Sequence, residues 1–589
     1  IPLRLVGSEM CIRDRNWAGG VSNVSEMLPI WPVRKEDGTF FNLTNEHPLA
    51  GIIYRDINLQ SNQILGNWYG EASITKDLTF RTEIGTNLLF NNDFHYRDGR
   101  ITDHNRTVSS TVSGQRSSWN WKNILNYTKT FGSHSLDILA ATEAQSSGSR
   151  TNFVFGDTFL NSTLTRPQDA AVINASGSET RYSFQSLISR INYDFNKKYL
   201  LSASLRADGS SRFGVENRWG YFPAVSLGWI VSDESFFGPM ASTLNFFKVR
   251  ASYGVVGNSE IGDYSSFSTY NTSIYNGNTG IVLGNIGDPR LGWELTSQLN
   301  LGITWEIFNG RISGEFDYYE KVTTDLLLPF PVSLMTGVSS VTKNIGELSN
   351  KGFDFIVNGL IIAKPNFTWE TNITLNHNKN LVVSLGDELI KDGLSSSAGL
   401  GSTSIFPGHP VGVIEGVAWG GVDVESGEDT YYDLEGNLYL YSEVIEQWGS
   451  FDNFNNEEKK PIGNPWPLLT GGINNSFTYK KFYASLLITF ATGQEFADGY
   501  TKQLNASFGN NKINPSTHML DAWNSPGDDA TVSRLTTNNV VWPWSDEFLY
   551  KTDYMRFRDV TLGYRTKLGN SFIKGLNAVS YTHLRAHET

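Results

Sequence analysis

The chain has 589 residues, 39% of them hydrophobic and only 18% charged, with a net charge of -13, 56 Gly, 35 Phe, 25 Tyr, 16 Trp and one cysteine. The charged share lies below the roughly 25% of ordinary soluble domains, and aromatics, Gly, Asn, Ser and Thr fill the gap, a mixture suited to strands and turns. An acidic balance without a basic stripe argues against a nucleic-acid partner. No apolar run approaches the roughly 20 residues of a transmembrane helix, whereas a barrel strand needs only about 9–11 with alternate residues facing lipid.

Both ends differ from what lies between them. IPLRLVGSEMCIRDR (residues 1–15) and VSYTHLRAHET (579–589) resemble translated sequencing adapter, so both are set apart as non-native and residues 16–578 are taken as the structural region. Setting them aside removes Cys11, His583 and His587. A disulfide framework and a cysteine-based metal or redox site are thereby excluded. The native start and stop are expected to be missing.

In chain order, a tight turn is expected near Phe131-Gly132. Leu187, Ile191, Tyr193 and Phe195 then alternate with Arg190, Asn192 and Asp194, turn at residues 196–198, and return as Tyr199, Leu201, Ala203 and Leu205. Val225, Leu227, Trp229 and Val231 alternate with Ala224, Ser226, Gly228 and Ser232. Leu299, Leu301, Ile303, Trp305 and Ile307 alternate with Asn300, Gly302, Thr304 and Glu306, a period of two with one apolar face. The chain turns at Asn309-Gly310, where both central positions favour positive φ, and returns with Ile312, Gly314, Phe316 and Tyr318 opposite in face to Ser313, Glu315 and Asp317. Further turns fall at Pro365-Asn366 and Lys480-Lys481, for about fifteen strands in all.

Connections alternate between very short and very long, the long ones being residues 258–293, 322–350, 382–466 and 493–551. That asymmetry belongs to outer-membrane barrels, with short periplasmic turns and long extracellular loops. Arg190, Asp194, Glu306, Glu315 and Asp317 on the polar faces imply a wet lumen. Tyr193, Phe195, Tyr199, Tyr318, Tyr319, Tyr479, Phe482 and Tyr483 are expected in an interfacial girdle, or else as cross-strand pairs of an ordinary sheet.

SLRADGSSRFGVENRWGYFPAVSLGWIVSDESFF (204–237) closely resembles a signature stretch of the SusC/RagA-type TonB-linked outer-membrane transporters. So do VRASYGVVGN (249–258), LGWELTSQLNLGI (291–303), FDYYEKVTTDLLL (316–328) and NIGELSNKGFDF (344–355). GHPVGVIEG (408–416), IGNPWPLLTGGINNSFTYKKF (462–482) and YMRFRDVTLGY (554–564) continue the family's order. The resemblance implies an all-β fold, part of a 22-stranded antiparallel transmembrane barrel whose plug lies outside this stretch. It implies TonB–ExbB–ExbD-powered import of oligosaccharides or, ranked second, peptides, with a SusD-like surface lipoprotein, in the cell outer membrane among its lipids. A siderophore or cobalamin receptor of the same family and a soluble secreted β-rich glycan-binding protein are the alternatives.

Catalytic and cofactor chemistry finds no support: there is no GxSxG elbow, HExxH pair or P-loop. The pairs Asp423/Glu425 and Glu428/Asp429 are read as solvated loop, not as glycosidase acid and base. Asp433, Glu435 and Asn437 are weak calcium candidates with broken EF-hand spacing. Tyr264, Tyr270, Trp419, Tyr431 and Trp448 are weak candidates for stacking on sugar rings, along with Tyr275, Tyr432 and Trp523; packing of loops on one another is the competing reading for each. In DGSSRFG (208–214) turn chemistry outweighs ligand contact.

Overall fold

The computed structural model describes residues 32–40, 48–101, 106–386, 403–498, 517–535, 545–566 and 576–582. The N-terminal segment 1–15 and the last residues, 583–589, lie outside these.

One antiparallel sheet of sixteen strands dominates, each strand pairing with its neighbour in sequence. The strands are β1 (Arg55–Ser73), β2 (Leu78–Arg97), β3 (Val108–Phe131), β4 (His134–Asp157), β5 (Val172–Phe195), β6 (Tyr199–Ser210), β7 (Trp219–Ile230) and β8 (Leu244–Asn258). They continue as β9 (Glu294–Ile307), β10 (Ile312–Thr324), β11 (Glu347–Lys364), β12 (Phe367–Ser384), β13 (Leu469–Tyr479), β14 (Phe482–Thr492), β15 (Tyr554–Thr566) and β16 (Leu576–Thr582). β16 pairs with β15 and runs into the stretch set apart as adapter.

Register turns the period-two pattern into two continuous faces. Across the wall, Ile191, Ala203, Val225 and Tyr253 stand in one cross-strand row. Leu201, Leu227, Ala251, Leu301 and Tyr318 stand in another. Further on, Ile373, Ile473, Ile488 and Phe557 continue the same face. These apolar side chains are largely exposed; Leu205, Leu227 and Leu301 are 48%, 58% and 44% accessible. A large apolar band open to the surroundings is a membrane-facing surface of a strand-built wall; among the described residues no helix is long and apolar enough to cross a membrane.

Connections follow the expected alternation. Gly132 and Ser133 alone join β3 to β4, residues 196–198 join β5 to β6, and 365–366 and 480–481 close two further hairpins. The Asn309-Gly310 hairpin differs in detail from the two-residue turn expected. Phe308, Asn309 and Gly310 all have positive φ, so the ladder stops at the Ile307–Ile312 pair and residues 308–311 form the turn. Val231, expected to end a strand, is buried in a 3-10 turn, Val231–Asp233.

The girdle needs a correction. Tyr193 faces outward with its hydroxyl 2.7 Å from His134 Nδ1, and Phe195 stacks on Tyr199. Phe482 and Tyr479 share the outer face. Tyr319 and Tyr483 point the other way: Tyr319 donates to Asn378 in the lumen (3.2 Å) and Tyr483 lies over inner-face Gly563. Adjacent aromatics on a strand cannot both face lipid. His134, stacked on Phe131 at 5.2 Å, completes the belt instead.

The two faces predict unequal tolerance of charge. Leu301→Arg should destabilise the folded barrel by about 2–4 kcal/mol, whereas Asn300→Arg on the other face should cost far less. Urea titration of refolding into lipid vesicles, read as the shift between folded and unfolded gel mobility, measures both.

Candidate functional site

The inner face carries a network of charges assembled largely across strands. Arg250 on β8 binds Asp317 and Glu315 on β10 and donates to Thr304 on β9 at 3.0 Å. The strand between supplies Gly302, paired to both Arg250 and Asp317, and a Cβ there would collide with both side chains. The glycine leaves the room in which the ion pair forms. Nearby, Asn192 donates to Asp137 (3.3 Å) and Ser202 to Asn192 (2.7 Å), while Arg206 binds Asp208 at 2.6 Å. A cavity of about 570 Å³ opens between them, lined by Asp137, Asn192, Asp194, Lys248, Arg250 and Asp317.

Along the wall amides join the charges: Asn376 donates to Asp354 (2.5 Å) in the register row of Asp317, Asn372 donates to Asn358 (2.7 Å) nearer the short turn at 365–366, and toward the long-loop end Asn380 and Asn378 both donate to Asn350 (2.8 and 3.2 Å). The alternation of Asn372, Asn376, Asn378 and Asn380 was a usable signal in the sequence. Arg250 carried none, because its partners are fixed by register.

Above this end, residues 403–468 fold into a cap with its own core. Three short strands, Ala418–Val422, Asp429–Tyr432 and Leu438–Leu440, pack against helices Tyr441–Trp448 and Phe451–Glu458. Val417, Tyr431, Val444, Phe451 and Phe454 are buried, with Trp419, Tyr439 and Trp448 against them. The second helix starts where the Ser450 hydroxyl accepts from Asn453 N at 3.2 Å, and the first ends at Gly449 with φ of 75°.

The cap is clasped to the loop between β14 and β15. Trp419 N donates to Asp546 (2.7 Å), Trp523 Nε1 to the Val424 carbonyl (2.9 Å), and Arg534 binds Glu428 at 2.6 Å while its backbone N reaches the Gly427 carbonyl (2.8 Å). At the seam, Asp429 is buried and accepts from Trp419 Nε1 at 3.2 Å. Burial pushes its pKa up to about 6; the charge of Glu428 adds to this, and hydrogen bonds from Ser533 and Trp419 oppose it.

The expected stacking residues fall in two places. Trp419, Tyr431 and Trp448 come together, but as cap core. Tyr431 is fully enclosed, with Phe451 edge-on at 4.9 Å, and a ring without an open face cannot stack on a sugar. Trp523 and Trp419 serve the clasp. Tyr264 accepts from Arg181 N (3.1 Å), whereas Tyr270 and Tyr275 are exposed on a loop hairpin, Thr269–Tyr275 with Asn278–Asn285. Asp433 spends both carboxylate oxygens on Asn437, at 2.8 Å to its backbone N and 2.8 Å to its amide, and Glu435 is exposed. Among the described residues no group of three or more His, Cys, Asp or Glu is placed to hold a metal. Asp423 closes a local turn through Ser426, and Glu428 holds Arg534, so the carboxylate pairs have structural partners. In DGSSRFG, Phe213 is buried on Trp293 at 4.8 Å and Arg212 binds Asp263 at 2.9 Å.

A two-faced sixteen-stranded wall with a polar interior and capped long-loop end matches one family model across residues 33–475, described as TonB dependent receptor-like, beta-barrel. The chain belongs to the TonB-dependent receptors. It is 30% identical over 546 residues to TonB-dependent receptor P39 of Formosa agariphila, covering 84% of this chain and 51% of that protein. It is 27% identical over 563 residues to TonB-dependent receptor SusC of Bacteroides thetaiotaomicron, covering 88% and 51%. The chain therefore spans about half the length of the curated relatives it matches. Among solved structures, the RagAB peptide importer in its open-open state superposes with a TM-score of 0.81 at 19% identity, over 96% of this chain and 63% of that one. This TonB-dependent receptor barrel belongs in the outer membrane, and the relatives it resembles are named as receptors, SusC among them.

Two outcomes follow from this receptor's geometry. Gly302→Leu should overpack the Arg250–Asp317 site and cost about 1–3 kcal/mol, seen as a lower denaturation midpoint in detergent. For Asp429, a folded pKa of about 6 against 3.8 unfolded means that the neutral acid favours the folded cap; the advantage is full below about 3.8 and is lost as pH rises through 6. The difference is about 3 kcal/mol. Hydrogen-exchange protection of residues 418–440 should fall as pH rises from about 4 to a little above 6 and then level off, and Asp429→Asn should flatten that dependence.

Proposed function

We propose that the protein of which this chain forms barrel wall and cap is an importer of large hydrophilic nutrients, driven through TonB–ExbB–ExbD and working with a SusD-like surface lipoprotein. The observation that carries this reading is the wall's inner face, where amides and paired charges line the lumen continuously from the Arg250 network to the Asn350 ladder. Such a lining offers hydrogen bonds to a polar cargo without a metal or a reactive group. Oligosaccharides suit the amide-rich end, since their hydroxyls pair with amide donors and acceptors alike. Peptides are the second reading, favoured by the fold likeness to a peptide importer. A siderophore receptor would share the barrel; the broad two-loop cap and the relative named SusC support the nutrient reading over it.

Deletion of the complete gene should abolish growth on one oligosaccharide or peptide mixture as sole source, with growth on its monomers unchanged. Deletion of a neighbouring SusD-like lipoprotein gene should reproduce that defect. A defect confined to iron- or cobalamin-limited medium would overturn the reading.

A further inference from the structure

The membrane-facing wall is not uniformly apolar. Outward side chains on β2, β3 and β4 form a polar ladder: Trp121 Nε1 donates to Thr82 (3.1 Å), the Thr82 hydroxyl to Asn123 Oδ1 (2.9 Å), and Asn123 Nδ2 to Thr142 (3.5 Å). Asn123 shares its face with Trp121 and Leu125, both of them exposed, so the amide stands on the lipid side and not in the lumen. The ladder satisfies its own acceptors but leaves the second amide hydrogen of Asn123 and the Thr142 hydroxyl hydrogen without a protein acceptor among these bonds. An unmet donor in hydrocarbon costs several kcal/mol.

The ladder also borders a trough. Small side chains, Ala140, Ser189 and Ala207, run along β4, β5 and β6 between Leu125 on one side and Leu205 and Tyr221 on the other. The space is about 500 Å³, within the roughly 300–1,000 Å³ range of ligand pockets. Thr142 and Asn123 lie on its lining. The trough is continuous with the lipid-facing band, and its strands all have both neighbours in the sheet.

We propose that this trough is a binding site for one acyl chain of an ester-linked outer-membrane glycerolipid, whose ester carbonyl accepts from Asn123 and Thr142. The bilayer offers ester carbonyls as acceptors, whereas the outer wall of a second barrel offers none from its backbone, because every ladder carbonyl is already paired. The chemistry of the site therefore selects a lipid over a second copy.

The test uses the complete receptor in nanodiscs containing phosphatidylethanolamine with a diazirine on its acyl chain, with cross-links mapped by peptide mass spectrometry. Labelling at residues 121–142 and 187–207 should exceed that of the wall at 299–318 about fivefold, the ratio supplied by one membrane hydrogen bond of about 1 kcal/mol. An ether-linked probe should lose most of the excess, as should Asn123→Leu. Ala207→Trp, which fills the trough, should reduce labelling there alone; Ser189→Leu serves if that variant does not fold, judged by heat-dependent gel mobility. Even labelling of both walls, equal labelling by ester and ether probes, or chain-to-chain cross-links at the trough in place of lipid would overturn the assignment.

Discussion

Backbone hydrogen bonding in hydrocarbon is the constraint on which this structure depends. A strand that crosses a bilayer has no water to satisfy its amides, so every ladder position must find a partner in an adjacent strand. Sequential antiparallel pairing achieves that with the shortest connections, and it does so from β1 to β16 without a crossover. Side chains then have only two directions available. The outer one receives Leu201, Leu227 and Leu301, and the inner one receives Arg250, Asp317 and the asparagines. Membrane affinity and lumen polarity are two consequences of one pleat.

The long connections face a different problem, because a loop ordered over water loses conformational entropy without gaining ladder bonds along its length. Residues 403–468 meet it by folding as a small domain whose aromatic core is large for its size, with Tyr431, Phe451, Phe454 and Trp448 in mutual contact. The clasp extends this order to the second loop. Its bonds are of every kind, backbone to backbone at Arg534–Gly427, side chain to backbone at Trp419 and Trp523, and side chain to side chain at Arg534–Glu428, and the side chains that carry it are few: Trp523, Arg534, Glu428 and Asp546. Placing the acid Asp429 inside that seam makes the same junction the part of the cap most sensitive to proton activity.

What could be read from the sequence follows from the range of the determining interactions. Alternation and turn residues are local, so the strands around Leu299, Tyr199 and Val225 and the hairpins at 309–310 and 480–481 were legible, with an error of one residue where Phe308 joins the turn. The girdle was half legible, because composition marks an aromatic cluster but only parity decides that Tyr319 and Tyr483 turn inward. The candidate site was least legible. Whether Tyr431 is a platform or a core residue depends on helices that follow it, and whether Arg250 meets Asp317 depends on the register of two hairpins and on a glycine between them. The asparagine ladder did have a period-two trace, and reading polar as well as apolar alternation would have found it.

Register also bears on the electrostatics of the inner face. Charges on the inner face pair with one another, across the sheet as Arg250 does with Asp317 and along one strand as Arg206 does with Asp208, so their fields largely cancel within a few ångströms. Beyond a Debye length of about 8 Å little net potential remains to attract or repel a solute. A wall of that kind tolerates many polar molecules and selects few. On the proposed reading, discrimination therefore falls to the extracellular loops, where exposed rings such as Tyr270 and Tyr275 stand and where the clasped cap fixes the geometry of the mouth. The same cross-strand pairing that makes the barrel stable thus leaves specificity to the parts of the chain that are free of the ladder.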